Sequence, residues 1–332
     1  MATASGRPVP LGSRERWVFN TPSKVESRAA VVGGTVYLGS DNNVIYALNA
    51  ATGKPRWSYP AEGTMMLSGP VASGSIVYVG SGDNNMYALN AADGKMRWIF
   101  TARSYINSNP AVADGVVYFG GNDGIVYALN AETGKPIWKF PTKQPVDSSP
   151  AVADGTVYIG SDTDKLYALN ARTGHLRWSY PTHGAIKDTP AVVGGIVYFG
   201  SGDDYVYAVS TATGHLVWKH QTGNWIDSSP AVAGGVVYIG SHDDQLWAFN
   251  AANGSVLWAT ATRGGIDSSP VVAAGTVYVG SDDNDLYAID AASGTLRWTF
   301  ATKGQVYAGP VVANGTVYAG SEDGNLYAVK TS

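Results

Sequence analysis

The residues of this chain best suited to chemistry are its carboxylates, and they recur in two settings. The first is a series of acidic stretches: Ser161-Asp162-Thr163-Asp164, Gly202-Asp203-Asp204, His242-Asp243-Asp244 and Asp282-Asp283-Asn284-Asp285. Such oxygen-rich segments suit calcium, which takes about six to eight oxygen ligands converging on one point. None has the glycine and distal glutamate of an EF-hand loop, and Asp, Asn, Ser and Gly are also ordinary turn formers, so ordinary turns are favoured. The second setting is a set of positions that vary between the copies of an internal repeat: Glu26, Leu67, Asn107, Asp147, Lys187, Asp227, Asp267 and Tyr307. Each follows an apolar residue (Val25, Met66, Ile106, Val146, Ile186, Ile226, Ile266, Val306), so alternation turns the variable side chain the opposite way. Two residues upstream of the ring lie Lys24, Met65, Tyr105 and Trp225, of which the two aromatics offer stacking or cation–π contacts to a bound cation.

Other chemistry is thinly represented. Cysteine is absent, which excludes disulfides, thiolate metal sites and cysteine nucleophiles together. Of the histidines, His175 and His215 follow Gly174 and Gly214 at equivalent places in separate repeats and cannot readily converge on one metal. With His183, His220 and His242 they read as solvated surface. No nucleophile elbow, phosphate loop or isolated pair of catalytic carboxylates stands out, and no catalytic, cofactor-binding or metal-ligating residue is assigned.

The elements that must carry these residues are legible from periodicity. Trp17, Trp57, Trp98, Trp138, Trp178, Trp218, Trp258 and Trp298 recur at a spacing of 40 residues, or 41 once, where an extra residue lies near Met65-Met66. Gly39, Gly80, Gly120, Gly160, Gly200, Gly240, Gly280 and Gly320 form a parallel ladder, each followed seven residues later by Tyr, or by Trp247 in one copy. One copy reads as four short strands: Ser149–Val152 (A), Thr156–Gly160 (B), Leu166–Leu169 (C) and Leu176–Tyr180 (D), separated by tight turns. Four strands per repeat make a propeller blade. Pro70, Pro110, Pro150, Pro190, Pro230, Pro270 and Pro310 fall at strand A, with Ala29 in the first copy. Proline cannot donate to a ladder, so strand A is placed at the inner edge, lining a central channel. The segment Arg16-Trp17-Val18-Phe19 is a strand D without a preceding blade, and Tyr327-Ala328-Val329-Lys330 is a strand C without a following strand D. The expected fold is therefore an all-β, eight-bladed β-propeller of four-stranded antiparallel blades, spanning residues 14–332 after a tail at 1–13 and closed by its N-terminal strand.

The segment Ala47-Leu48-Asn49-Ala50-Ala51-Thr52-Gly53-Lys54-Pro55-Arg56-Trp57 states the linking motif, Ala-x-Asn/Asp-x-x-x-Gly-x-x-x-Trp. It returns at Ala88–Trp98, Ala128–Trp138, Ala168–Trp178, Ala248–Trp258 and Ala288–Trp298, and with Ser210 in the Asn/Asp place at Ala208–Trp218. This resembles the tryptophan-docking motif of the PQQ-like propellers, which include quinoprotein dehydrogenases, BamB-type outer-membrane assembly lipoproteins and sensor domains of some bacterial Ser/Thr kinases. The resemblance covers nearly the whole chain. It implies the fold and, through its enzyme members, a PQQ site with an adjacent-cysteine ring and a calcium ion held by Glu, Asn and Asp. Here the cysteines are missing, as are the long insertions between blades, so no cofactor is expected.

The functional expectation is a non-enzymatic binding, scaffold or sensor propeller. It would engage a protein or small-molecule ligand at the channel mouth, where four acids face one lysine. A PQQ-dependent oxidoreductase or its vestige is the alternative, and a designed or recently amplified ring without a natural ligand is a further one. A net charge of −4 without a basic run disfavours nucleic acid. No apolar run approaches the ~18 residues of a membrane span. Met1–Ser13 lacks the apolar core of a signal peptide, so the chain is either cytoplasmic or, as favoured here, part of a longer exported or membrane-tethered bacterial protein. A closed ring leaves few strand edges, and a monomer is expected.

Overall fold

A computed structural model of the protein describes residues 14–64 and 67–332. The tail expected at residues 1–13 and the pair Met65-Met66 lie outside the described residues. The described chain forms eight four-stranded antiparallel sheets. The fourth blade is typical, with strands Ala151–Ala153, Thr156–Ile159, Lys165–Asn170 and Leu176–Pro181. Asp154 and Gly155 both take positive φ (47° and 67°), the left-handed pair that closes a two-residue hairpin without splaying its strands.

The prolines occupy a slightly different place from the one expected. Strand A is only three residues long and begins one residue after each proline, as in Ala111–Ala113 after Pro110. Because the proline nitrogen carries no hydrogen, the ladder starts at the next residue. Neighbouring A strands contact one another around the ring, which places them on the channel as expected. The ring closes where Glu15–Asn20 pairs antiparallel with Asn325–Lys330, completing the sheet that holds Val311–Ala313 and Thr316–Gly320.

The seams between blades explain the ladders in the sequence. In every blade a bulge shifts register in strand D, between Ala128 and Leu129 for example and between Glu15 and Trp17 in the closing strand, so that Trp138 pairs with Ala128 and turns outward from its own sheet. Trp98 then lies over Gly134 of the next blade. Gly134 has φ +67°, and a Cβ there would sit 2.7 Å from the indole ring. The Trp98 Nε1–H donates to the Ala131 carbonyl at 2.9 Å, and the same carbonyl accepts the Tyr78 hydroxyl at 3.0 Å. Tyr78 and Trp98 pack with ring centroids 5.8 Å apart, and the other seams repeat the pair. The last seam has no equivalent turn, and the Arg14 guanidinium lies 4.9 Å from the centroid of the Trp298 ring instead. Deeper in each seam the apolar lead-in residue packs on the glycine of strand B, as Val146 does on Gly120, where a Cβ would meet Val146 Cγ1 at 2.4 Å.

Candidate functional site

Each segment that leads from one blade into the next is held by a repeated set of hydrogen bonds. The carbonyl two residues before the variable position accepts a backbone N–H from the B–C turn of the blade being entered: Asn122 to Tyr105, His242 to Trp225 and Asp282 to Gly265, at 3.0–3.1 Å. The apolar residue then donates backward to the preceding blade, as Ile106 N–H does to the Ser81 carbonyl. With that residue sealed in the seam, the variable side chain faces the axis. Glu26, Leu67, Asn107, Asp147, Lys187, Asp227, Asp267 and Tyr307 accordingly all line one cavity of about 210 Å³ at the mouth of the channel. Asn107 Nδ2 donates to Asp147 Oδ1 at 3.1 Å, so neighbouring ring members touch. Trp225 stands beside the mouth, exposed, and shares a second groove with Lys187 and Asp227. Tyr105 is also exposed but lines neither cavity.

Beneath this ring lies a tier that includes Arg28, Asn109, Ser149, Thr189, Ser229 and Ser269. Its polar side chains stitch successive blades together: Asn109 N–H donates to Ser149 Oγ at 2.9 Å, and Thr189 N–H to Ser229 Oγ at 2.9 Å. Arg28 breaks the pattern. The surrounding ring lowers its guanidinium from the ordinary value through desolvation, while its surface stays open to the cavity, and among the described residues it makes no ion pair. Between the tiers, serines such as Ser108 and Ser148 accept the N–H of the strand B glycine at 2.9–3.0 Å. Asp188 replaces that serine in one blade. Its Oδ2 accepts the Gly200 N–H at 2.7 Å, its buried Oδ1 has no partner, and burial pushes the carboxyl well above its ordinary value.

The B–C turns divide by position. Asp164, Asp204 and Asp244 hold left-handed backbone (φ 58°, 70° and 62°), which short Asp and Asn side chains tolerate. Asp203 Oδ2 accepts the Tyr207 hydroxyl at 2.7 Å and the His183 N–H at 2.8 Å, and Asp243 and Asp283 sit in the same frame. These carboxylates are structural. The first turn position is different, because Asp41, Asp162, His242, Asp282 and Glu322 rise beside the mouth. Burial lifts the carboxyls of Glu26, Asp41 and Asp162 above their ordinary values, with Asp147 adding repulsion on Asp162. Burial and the neighbouring Asp267 bring Asp282 to about 6. Asp267 is also raised by burial, against the opposing pull of His242, and the Tyr307 phenol is raised by burial and then by Asp267 and Asp227. Lys24 bridges Glu26 and Glu322 at 3.1 and 3.0 Å and is raised by both contacts.

Two histidines depart from the expected surface placement. His220 is half-buried on Phe249, with ring centroids 4.8 Å apart, and burial lowers its pKa. His242 is bonded to Asp267, and its ring lies 4.5 Å from that of Trp225. His175, His183 and His215 are exposed as expected.

The family model described as outer membrane protein assembly factor BamB, of the PQQ-like repeat type, matches residues 10–120, 65–143, 122–265 and 259–332. The chain belongs to this BamB-type family. Among curated proteins, none matches it by sequence. BamB from Moraxella catarrhalis superposes with a TM-score of 0.83 at 21% identity, covering 95% of this chain and 99% of that one. The computationally designed Ika8 protein gives 0.86 at 18% identity, covering 96% and 100%. Quinohemoprotein alcohol dehydrogenase from Comamonas testosteroni gives 0.81 at 16% identity, covering 96% and 76%. At these identities the likeness concerns the fold alone.

In this BamB-type propeller the family pattern accounts for the seams, and the mouth is what individualises the chain. Sequence reasoning assembled the outer ring but missed Arg28, Asp188 and His242. Arg28 was detectable as a departure from the Gly, Asn, Ser or Thr of the other copies, and Asp188 as a departure from their Ser or Ala.

Proposed function

We propose that this propeller is a non-enzymatic binding module that engages a basic segment of a protein partner across the channel-mouth face. The observation that carries this reading is the convergence of the copy-specific side chains on one cavity ringed by carboxyls. Glu26, Asp41, Asp147, Asp162, Asp227, Asp267, Asp282 and Glu322 stand there against Lys24, Arg28 and Lys187. Raised carboxyl pKa values at such a rim mean that an arriving cation relieves an existing cost. The exposed indole of Trp225, beside Lys187 and Asp227, offers a face for an arginine or lysine stem.

PQQ chemistry is supported less well. PQQ carries carboxylates of its own, and the mouth would meet them chiefly with carboxylates. The adjacent-cysteine pair that frames the cofactor in the enzymes this family resembles is also missing. The residues present do not fit the cofactor. No helix among the described residues is long and apolar enough to cross a membrane. The reading places residues 14–332 as one monomeric unit acting outside the cytoplasm within a longer exported or tethered protein, in keeping with its BamB-type kinship.

The test is fluorescence anisotropy with a labelled Lys/Arg-rich peptide and an acidic peptide of equal length. Binding of the basic peptide is expected to weaken as salt rises and in an Asp147→Asn, Asp227→Asn double variant. Equal binding of both peptides, or no effect of the double variant, would refute the reading.

A further inference from the structure

We propose that His242, Asp267 and Asp282 form a binding site for a divalent transition-series cation of the Zn²⁺ class, at the rim of the channel mouth between the sixth and seventh blades. One donor atom from each residue falls within 4.8 Å of the other two. The three come from separate segments: His242 from the B–C turn after Val236–Ser241, Asp282 from the turn after Thr276–Gly280, and Asp267 from the segment between the two blades. The backbones of His242 and Asp282 are already fixed. His242 N–H donates to the Trp225 carbonyl at 3.1 Å, Asp282 N–H to the Gly265 carbonyl at 3.0 Å, and Asn224 Nδ2 to the His242 carbonyl at 3.2 Å.

Gly265 provides the room. Every other copy carries a side chain at this position, from Ala185 to Tyr105 and Trp225, but here a Cβ would sit 3.0 Å from His242 Nδ1 and 3.2 Å from Asp282 Oδ2. Its φ lies outside the left-handed region, so the backbone does not require glycine there. The vacant side-chain place lies between an imidazole nitrogen and a carboxylate oxygen, and Asp282 has no ion-pair partner among the described residues.

The donor set chooses the metal. One imidazole with two carboxylates suits Zn²⁺ and its first-row neighbours, whereas Ca²⁺ and Mg²⁺ favour oxygen alone. Asp267 is held by His242 Nε2 while the gap adjoins Nδ1. Donors on tetrahedral zinc lie about 3.3–3.5 Å apart, so a turn of the His242 ring that brings one nitrogen to face both carboxylates would close the set and leave a fourth position open. Two adjacent half-buried carboxylates would gain a compensating charge. The Trp225 ring, 4.5 Å from that of His242, walls one side. The inference does not depend on partner binding, and Asp147 and Asp227, used to test that function, are not ligands.

The test is isothermal titration of the intact chain with Zn²⁺ and with Ca²⁺, beside Co²⁺ quenching of tryptophan fluorescence in the native and Trp225→Phe proteins. Zn²⁺ is expected to bind with one high-affinity site, weakened about tenfold or more by His242→Ala and by Asp282→Asn. Quenching should fall in Trp225→Phe, and Ca²⁺ should not compete. Gly265→Val, which crowds His242 Nδ1 and Asp282 Oδ2 without removing a ligand, should weaken Zn²⁺ in a protein whose circular dichroism stays native. No Zn²⁺ binding, binding unchanged in His242→Ala or Gly265→Val, or Ca²⁺ binding preferred over Zn²⁺ would each overturn the site and leave His242–Asp267 as a structural pair.

Discussion

Replacing Asp188 by serine should stabilise the propeller at neutral and alkaline pH. The neighbouring blades supply the design: Ser148 Oγ accepts the Gly160 N–H at 2.9 Å and donates at 2.6 Å to the Asp188 carbonyl. Ser228 does the same with Gly240 and the Ser268 carbonyl, at 3.1 and 2.9 Å. Asp188 keeps the first of these bonds, to Gly200, but leaves Oδ1 buried and unpartnered, with the residue 2% exposed. An unsatisfied buried polar group costs about 1–3 kcal/mol, so Asp188→Ser should recover about 1–2 kcal/mol. With an unfolding entropy of about 2.1 cal/mol/K per residue, a chain of this length shifts its Tm by about 1.5–3 °C for that gain.

The sign of the pH dependence follows from burial, which raises the folded-state pKa above the ordinary 3.8. Above that ordinary value the unfolded chain has released a proton that the native state still holds, so native stability falls as pH climbs through the raised value. The gap between variant and native protein should be small near pH 4 and should widen toward pH 8. Urea unfolding followed by tryptophan fluorescence at pH 4, 6 and 8 measures it. A variant no more stable than the native protein at pH 8, or a gap of equal size at all three values, would refute the reasoning.

Two further outcomes follow from the seams. Trp138→Ala removes an indole that covers Gly174 and donates to the Ala171 carbonyl at 2.8 Å, and should cost about 3–5 kcal/mol in a urea titration. A loss below about 1 kcal/mol would show that the seam repacks. Deleting residues 1–20 removes Glu15–Asn20 and uncovers the edge of Asn325–Lys330, so calorimetry should give a lower, broader transition and sedimentation should detect self-association. A truncated chain that stays monomeric and melts like the intact one would sink the closure argument.

By itself the sequence determined the blade count, the strand order within a blade, the inner edge and the outer ring at the mouth. Each follows from a local rule repeated along the chain: left-handed backbone at Asp154-Gly155, glycine beneath the indole at Gly134, and the alternation that seals Val146 and frees Asp147. Periodicity makes such features visible because every copy obeys the same geometry. The start of strand A, expected at Ser149, lies two residues later at Ala151, since a proline marks the edge without joining its ladder. Only the tertiary structure decided which departures from the repeat meet. His242, Asp267 and Asp282 belong to three different segments, and their convergence depends on the wedge between two blades and on the missing side chain at Gly265. Arg28 and Asp188 likewise differ visibly from their counterparts in other copies, but their enclosure by the ring, and hence their shifted ionisation, arises only once all the blades stand around one axis. Spacing along a chain records what each blade does for itself. Charge and ligation at the mouth depend on distances across the ring, which no single repeat contains.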